Sequence, residues 1–173
     1  MRSILRGFVV DHDEPPRRRC SASTARSPRS ASTCWRRWWC CASSLPDPAE
    51  PDARQVRWCN AGHPPPLLLR PDGRVERLLT DAEPLLGLDP ATRRTDHVAP
   101  LPVGSTLLLY TDGLVERAGA DIDDGIETLA GHLAGRSAVP VDLLLDTVFA
   151  GLVTRRPPDD VAVLALRAHP HRA

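Results

Sequence analysis

Residues 106–113, TLLLYTDG, narrow most sharply what this chain can fold into. Leu107 to Tyr110 is an apolar run too short for a helix, followed almost at once by an acid and a glycine. Such a run reads as a buried strand. Shorter segments with strand character lie around it. QVRWCN (55–60) alternates loosely, and AGHPPP stops it, because Gly62 and three prolines cannot continue a ladder. LLLR (67–70) and RVERLL (74–79) flank Pro71-Asp72-Gly73, a strong hairpin turn signal. PLLGL (84–88) is apolar and broken by Gly87, TDHVAPL (95–101) reads as a strand, and PVGS makes a second tight turn before Thr106.

Two helices and a strand follow. DDGIETLAGHLAG (123–135) places Ile126, Leu129, Ala130 and Leu133 on one face, with Gly135 positioned to end the helix. PVDLLLDTVFAGLV (140–153) opens at Pro140 and aligns Leu144, Val148 and Leu152. RRPPDD breaks that pattern, and VAVLALRA (161–168) is a final strand. Hairpins, two helices and a closing strand make an α+β chain with a mainly antiparallel sheet.

The stretch from Pro15 to Leu45 has a different texture. It carries seven Arg, seven Ser, four of the five Cys and three of the four Trp, with no acid and neither a helical nor a strand period. It can be read as a disordered basic linker, as an Arg/Trp nucleic-acid patch, or as a stretch translated out of frame. The sudden loss and recovery of pattern favours the last. Over the whole chain 22 basic and 22 acidic residues cancel, which argues against nucleic-acid binding by net charge. Every basic residue is arginine, so Schiff-base lysine chemistry and a P-loop lysine are excluded. The five cysteines lack paired zinc spacing and read as thiols. No apolar run approaches a membrane span, and acids follow the start too soon for a signal peptide, so the expectation is a cytoplasmic protein with no membrane partner.

Asp112 ends the strongest strand, and Asp159 and Asp160 stand just before the last one. Acids at the mouth of apolar strands are costly unless compensated. Hard divalent cations compensate them well, and Gly113 would let groups approach closely. Turn capping is the competing role, and on spacing alone it is favoured.

Three blocks shift that balance. NAGHPPPLLL (60–69), LLLYTDGLVE (107–116) and PPDDVAVLAL (157–166) together resemble the SpoIIE-type branch of the PPM, metal-dependent serine/threonine protein phosphatases. The likeness covers roughly residues 55–167, and MRSILRGFVVDHDEP resembles an early helix of the same domain. It implies a PPM-phosphatase-like antiparallel β-sandwich flanked by helices, holding two Mn2+ or Mg2+ ions that activate water against a phosphoserine or phosphothreonine. By motif match Asp112 and Asp159 are catalytic metal ligands and Asp160 is a supporting one. Gly113, Asn60, Gly62 and His63 support the motifs, His63 as a turn residue without a ligand role.

The implied organisation is a remnant of the early helix in 1–14, an aberrant segment in 15–45, the C-terminal part of the phosphatase domain in 46–168, and a tail in 169–173. Two departures stand beside Ala162, which replaces a common hydroxyl residue: the family's Asp-Val-x-Gly-x-Gly motif is absent, and 15–45 shows neither the helix nor the strand expected there. The domain is therefore expected to be N-terminally incomplete and weak in metal binding. The implied substrate is a phosphorylated protein resembling an anti-sigma-factor antagonist, with no nucleic acid and with a dimer left open. The alternative is a catalytically inactive remnant or a regulatory binding module.

Overall fold

The computed structural model describes residues 54–81, 83–84, 93–152 and 161–170 in full and residues 38–43 by their backbone. Its elements run β1 (Trp38–Ser43), β2 (Gln55–Ala61), β3 (Leu67–Leu69), β4 (Val75–Arg77), β5 (His97–Pro100), β6 (Thr106–Tyr110), α1 (Ile122–Leu133), α2 (Val141–Leu152) and β7 (Val163–Arg167), with a single 3-10 turn at Asp112–Leu114 after β6. They fall into two compact units. One holds the antiparallel sheet β4-β3-β6-β7 and both helices; the other holds the antiparallel sheet β1-β2-β5. The class is α+β.

In the first unit β6 lies between β3 and β7, with Leu68 opposite Leu107 and Tyr110 opposite Val163. Leu67, Leu69, Leu108 and Tyr110 share one buried cluster with both helices. Leu68, Leu107 and Leu109 on the alternate positions are buried as well, so β6 is out of water on both faces. The helices contribute Ile126, Leu129 and Leu133 from α1 and Leu144, Val148 and Leu152 from α2, the stripes that helical spacing aligns.

Local chemistry sets the ends of α1. The Asp121 side chain accepts from the Asp123 N–H at 3.0 Å, capping the first turn. The helix stops just before Gly135, whose φ is +74°. The Gly135 N–H then donates to the Gly73 carbonyl at 2.9 Å, which docks the β3–β4 hairpin turn onto the end of α1. The approach is tight at Gly73, where a Cβ would stand 3.1 Å from Gly135 Cα, whereas Gly135 is favoured by its positive φ and a Cβ there would meet nothing within 4 Å.

In the second unit β2 pairs with β1 through Cys40 opposite Cys59 and with β5 through Arg57 opposite Val98. Val56 and Trp58 are buried, and the Trp58 ring lies 5.6 Å from that of His97.

The structure differs from the sequence reading at several points. The 106–113 strand ends at Tyr110, because Asp112 opens the 3-10 turn. Trp38–Ser43 forms a strand inside the segment expected to hold none; its pairing to β2 is a backbone matter that needs no alternation of side chains. Residues 1–37, most of the 84–88 run, and Asp159 and Asp160 lie outside the described residues. Among the described residues no helix is long and apolar enough to cross a membrane.

Gly125, in the first turns of α1, meets the chain that follows β6 at unusually close range. A Cβ there would sit 1.9 Å from the Val115 carbonyl oxygen. Gly125→Ala is expected to destabilise the protein by about 1–3 kcal/mol, more than the roughly 1 kcal/mol that alanine's helix propensity returns. Urea unfolding of the two forms measures it; an unchanged or raised midpoint would show that the helix can back away from Val115 at no cost.

Candidate functional site

The first candidate group stands where β6 ends. Thr111 is still extended, with φ −88° and ψ 157°, but its carbonyl already accepts from the Leu114 N–H at 3.1 Å. The Asp112 carbonyl then accepts from Val115 and Glu116 at 2.8 and 2.7 Å. Leu114 and Val115 enter the core, and this draws the chain into the turn. Gly113 is buried beneath it, and its N–H donates to Asp112 Oδ1 at 3.1 Å. Asp112 is left half-buried at the sheet edge, while Glu116 points to solvent.

That edge also receives the start of β7. The Thr111 N–H donates to the Ala162 carbonyl at 3.0 Å, and the Ala162 N–H donates to Thr111 Oγ1 at 2.9 Å. Asp159 and Asp160, the other two candidate carboxylates, come three and two residues before Ala162 in the sequence. Among the described residues no group of three or more His, Cys, Asp or Glu side chains could hold a metal ion. One carboxylate does not make a two-cation centre, so the described residues by themselves do not fit one.

The NAGH motif belongs to the other unit and is built as a locked turn. Asn60 Oδ1 accepts from the His63 N–H at 3.0 Å, while Asn60 Nδ2 donates to the His63 carbonyl at 3.2 Å and to Thr80 Oγ1 at 3.3 Å. Gly62 supplies the φ of +86° that the reversal needs. Asn60 thus acts through the backbone of His63.

An arginine holds this turn from behind. The Arg94 side chain is only 3% exposed, and it donates to the carbonyls of Asn60 at 3.0 Å and Pro84 at 2.9 Å. Glu83 stands 3.5 Å away and accepts from the Thr95 N–H at 2.8 Å. In a chain whose every cation is arginine, nothing in the sequence marks Arg94 apart. Arg77 is occupied by Asp123 at 3.0 Å and Glu127 at 2.7 Å. Arg70 is paired with Glu76.

Tyr110, just before the site, is buried, and among the described residues its hydroxyl has no hydrogen-bond partner. Burial pushes its phenol well above the ordinary range; nearby Arg77 opposes this and Asp123 adds to it.

A family model described as Stage II sporulation protein E (SpoIIE) matches residues 3–169. Among solved structures, the RsbU and RsbW domains of a Mycobacterium tuberculosis protein superpose with a TM-score of 0.60 at 31% identity, over 71% of this chain and 35% of that one. The PP2C phosphatase domain of Bacillus subtilis SpoIIE, with a fragment of its regulatory domain, gives 0.54 at 17% identity, over 72% of this chain and 36% of that one. The SiaA-PP2C domain of Pseudomonas aeruginosa gives 0.50 at 22% identity, over 69% and 48%. This chain spans about a third of the length of the first two structures and under half of the third.

Two outcomes follow from these contacts. Arg94→Ala strands two buried carbonyls and Glu83, and is expected to cost about 3 kcal/mol, read by urea unfolding; a loss below about 0.5 kcal/mol would show the turn stands without it. Tyr110 is the only tyrosine, so its phenolate can be followed alone by ultraviolet absorbance. Its folded pKa lies above the unfolded value of about 10. Its contribution is therefore fully present below pH ~10 and lost as the pH rises beyond it. Tyr110→Phe is expected to be at least as stable as the parent and to lose that alkaline decline; an ionising phenol in the still-folded protein near pH 10 would contradict the assignment.

Proposed function

The chain belongs to the SpoIIE family, and on that premise we propose that it is a phosphoprotein phosphatase domain that hydrolyses phosphoserine or phosphothreonine. The observation that carries the reading is the antiparallel pairing of β6 with β7. The end of β6 that leads into Asp112 lies beside the end of β7 that Asp159 and Asp160 lead into along the chain. Asp112 follows the one strand and Asp159 and Asp160 precede the other in the sequence, and carboxylates are donors suited to hard divalent cations.

The proposed cofactor is Mn2+ or Mg2+, with Asp112 and Asp159 as ligands and Asp160 in support. Gly113 keeps the backbone beside Asp112 free of a side chain. Asn60, Gly62 and His63 hold a turn and donate nothing to the reaction. The reaction is transfer of a phosphoryl group from a serine or threonine oxygen to water, and it needs no nucleophilic side chain. The proposed substrate is a phosphorylated signalling protein of the anti-sigma-factor-antagonist type, and the proposed location is the cytoplasm.

The test is phosphate release from a phosphoserine peptide in the presence of Mn2+, using the full chain. Asp112→Asn is expected to lower turnover by about a hundredfold or more, since even residues that only support a metal ligand are worth roughly ten- to a hundredfold. Equal turnover in the two forms would remove Asp112 from the site. No turnover in the parent would leave the chain a binding module of the same fold.

A further inference from the structure

Thr111 breaks a local rule. It occupies the N-cap position of the 3-10 turn, where a threonine hydroxyl ordinarily accepts from a backbone N–H of the first turn. Here it makes no capping bond. Its hydroxyl is aimed the other way, across the sheet, and accepts from the Ala162 N–H at 2.9 Å.

The reason lies in the ladder. In antiparallel pairing, opposed residues alternate between pairs that exchange both N–H···O=C bonds and pairs that exchange none. Thr111 and Ala162 are opposed next beyond Tyr110 and Val163, in the position of a pair that exchanges both bonds. One of their two bonds is made in the usual way, from the Thr111 N–H to the Ala162 carbonyl at 3.0 Å. The return bond is unavailable, because the Thr111 carbonyl has turned to accept from Leu114 and start the turn that carries Asp112. The threonine hydroxyl takes the place of that carbonyl. Without it, either Ala162 loses its acceptor or Thr111 keeps its carbonyl in the ladder and the turn does not begin there.

We propose that Thr111 is a positioning residue for Asp112: its hydroxyl substitutes for its own carbonyl, so that the Asp112 turn and the start of β7 are held in one register. The inference rests on the phosphatase reading for its functional consequence, but its structural half stands on the Thr111–Ala162 geometry alone. The bond runs to the backbone of residue 162, so alanine at that position does not weaken it. Serine could do the same work; valine, with the same shape and no hydroxyl, could not.

The experiment compares the full chain with Thr111→Val and Thr111→Ser. Amide hydrogen exchange at Ala162 is followed by NMR, and phosphate release from a phosphoserine peptide with Mn2+ is measured beside it. In Thr111→Val the Ala162 amide is expected to exchange about five- to tenfold faster, the effect of losing one net hydrogen bond, with circular dichroism unchanged. Turnover is expected to fall about ten- to a hundredfold through kcat rather than KM, the scale of a small misplacement of a reacting group. Thr111→Ser is expected to restore both. Unchanged Ala162 exchange in the valine variant, or failure of serine to restore it, overturns the proposal. Faster exchange with undiminished kcat overturns the positioning role as well. A parent without turnover defeats the phosphatase reading and with it the functional half, while the exchange result still decides whether the hydroxyl holds β7.

Discussion

A strand whose five side chains are all buried has nowhere to send its N–H and C=O groups except to its neighbours. β6 is such a strand, and the first unit is arranged around that requirement. β3 meets one edge and β7 the other. β3 brings β4 by a hairpin, and the hairpin turn is pinned to the end of α1 through Gly73 and Gly135. The helices close one face with two apolar stripes. Where β6 leaves the ladder, its last obligations are met one at a time, by a 3-10 turn and by one threonine hydroxyl.

The chain that follows β6 is constrained from more than one direction. Leu114 and Val115 are anchored in the core, α1 presses on the Val115 carbonyl at Gly125, and Thr111 ties the strand end to Ala162. Asp112 lies between these anchors and is itself only half-buried. A carboxylate held by its backbone, with its side chain at the sheet edge, suits a group that must meet a charged ligand in a repeatable geometry. The NAGH turn follows the same logic in the second unit: Asn60 locks His63 by its backbone, and Arg94 locks Asn60.

Much of this was legible along the chain. The run Leu107–Tyr110 marked the central strand, the 3.6-residue stripes marked both helices, and Pro71-Asp72-Gly73 marked the hairpin, because each signal is local. The strand at Trp38–Ser43 was not legible, since WWCCAS carries no alternation and its pairing depends on β2. Asn60 and Gly62 stood out by motif, yet the role of Asn60 as a clamp on His63 came from geometry. Arg94 could not be separated from 21 other arginines until its burial against two carbonyls was seen.

The sequence by itself determined the order of elements from β2 onward, the family likeness and the candidate carboxylates, because periodicity, turn residues and motif spacing act over a few residues. Only the tertiary structure decided that β6 and β7 are neighbours, that α1 sits against Val115, and that the Thr111 hydroxyl serves Ala162 rather than its own turn. Those outcomes join residues up to 61 positions apart. They depend on which backbone groups are left without a partner once the buried strand is paired, and no local pattern records that.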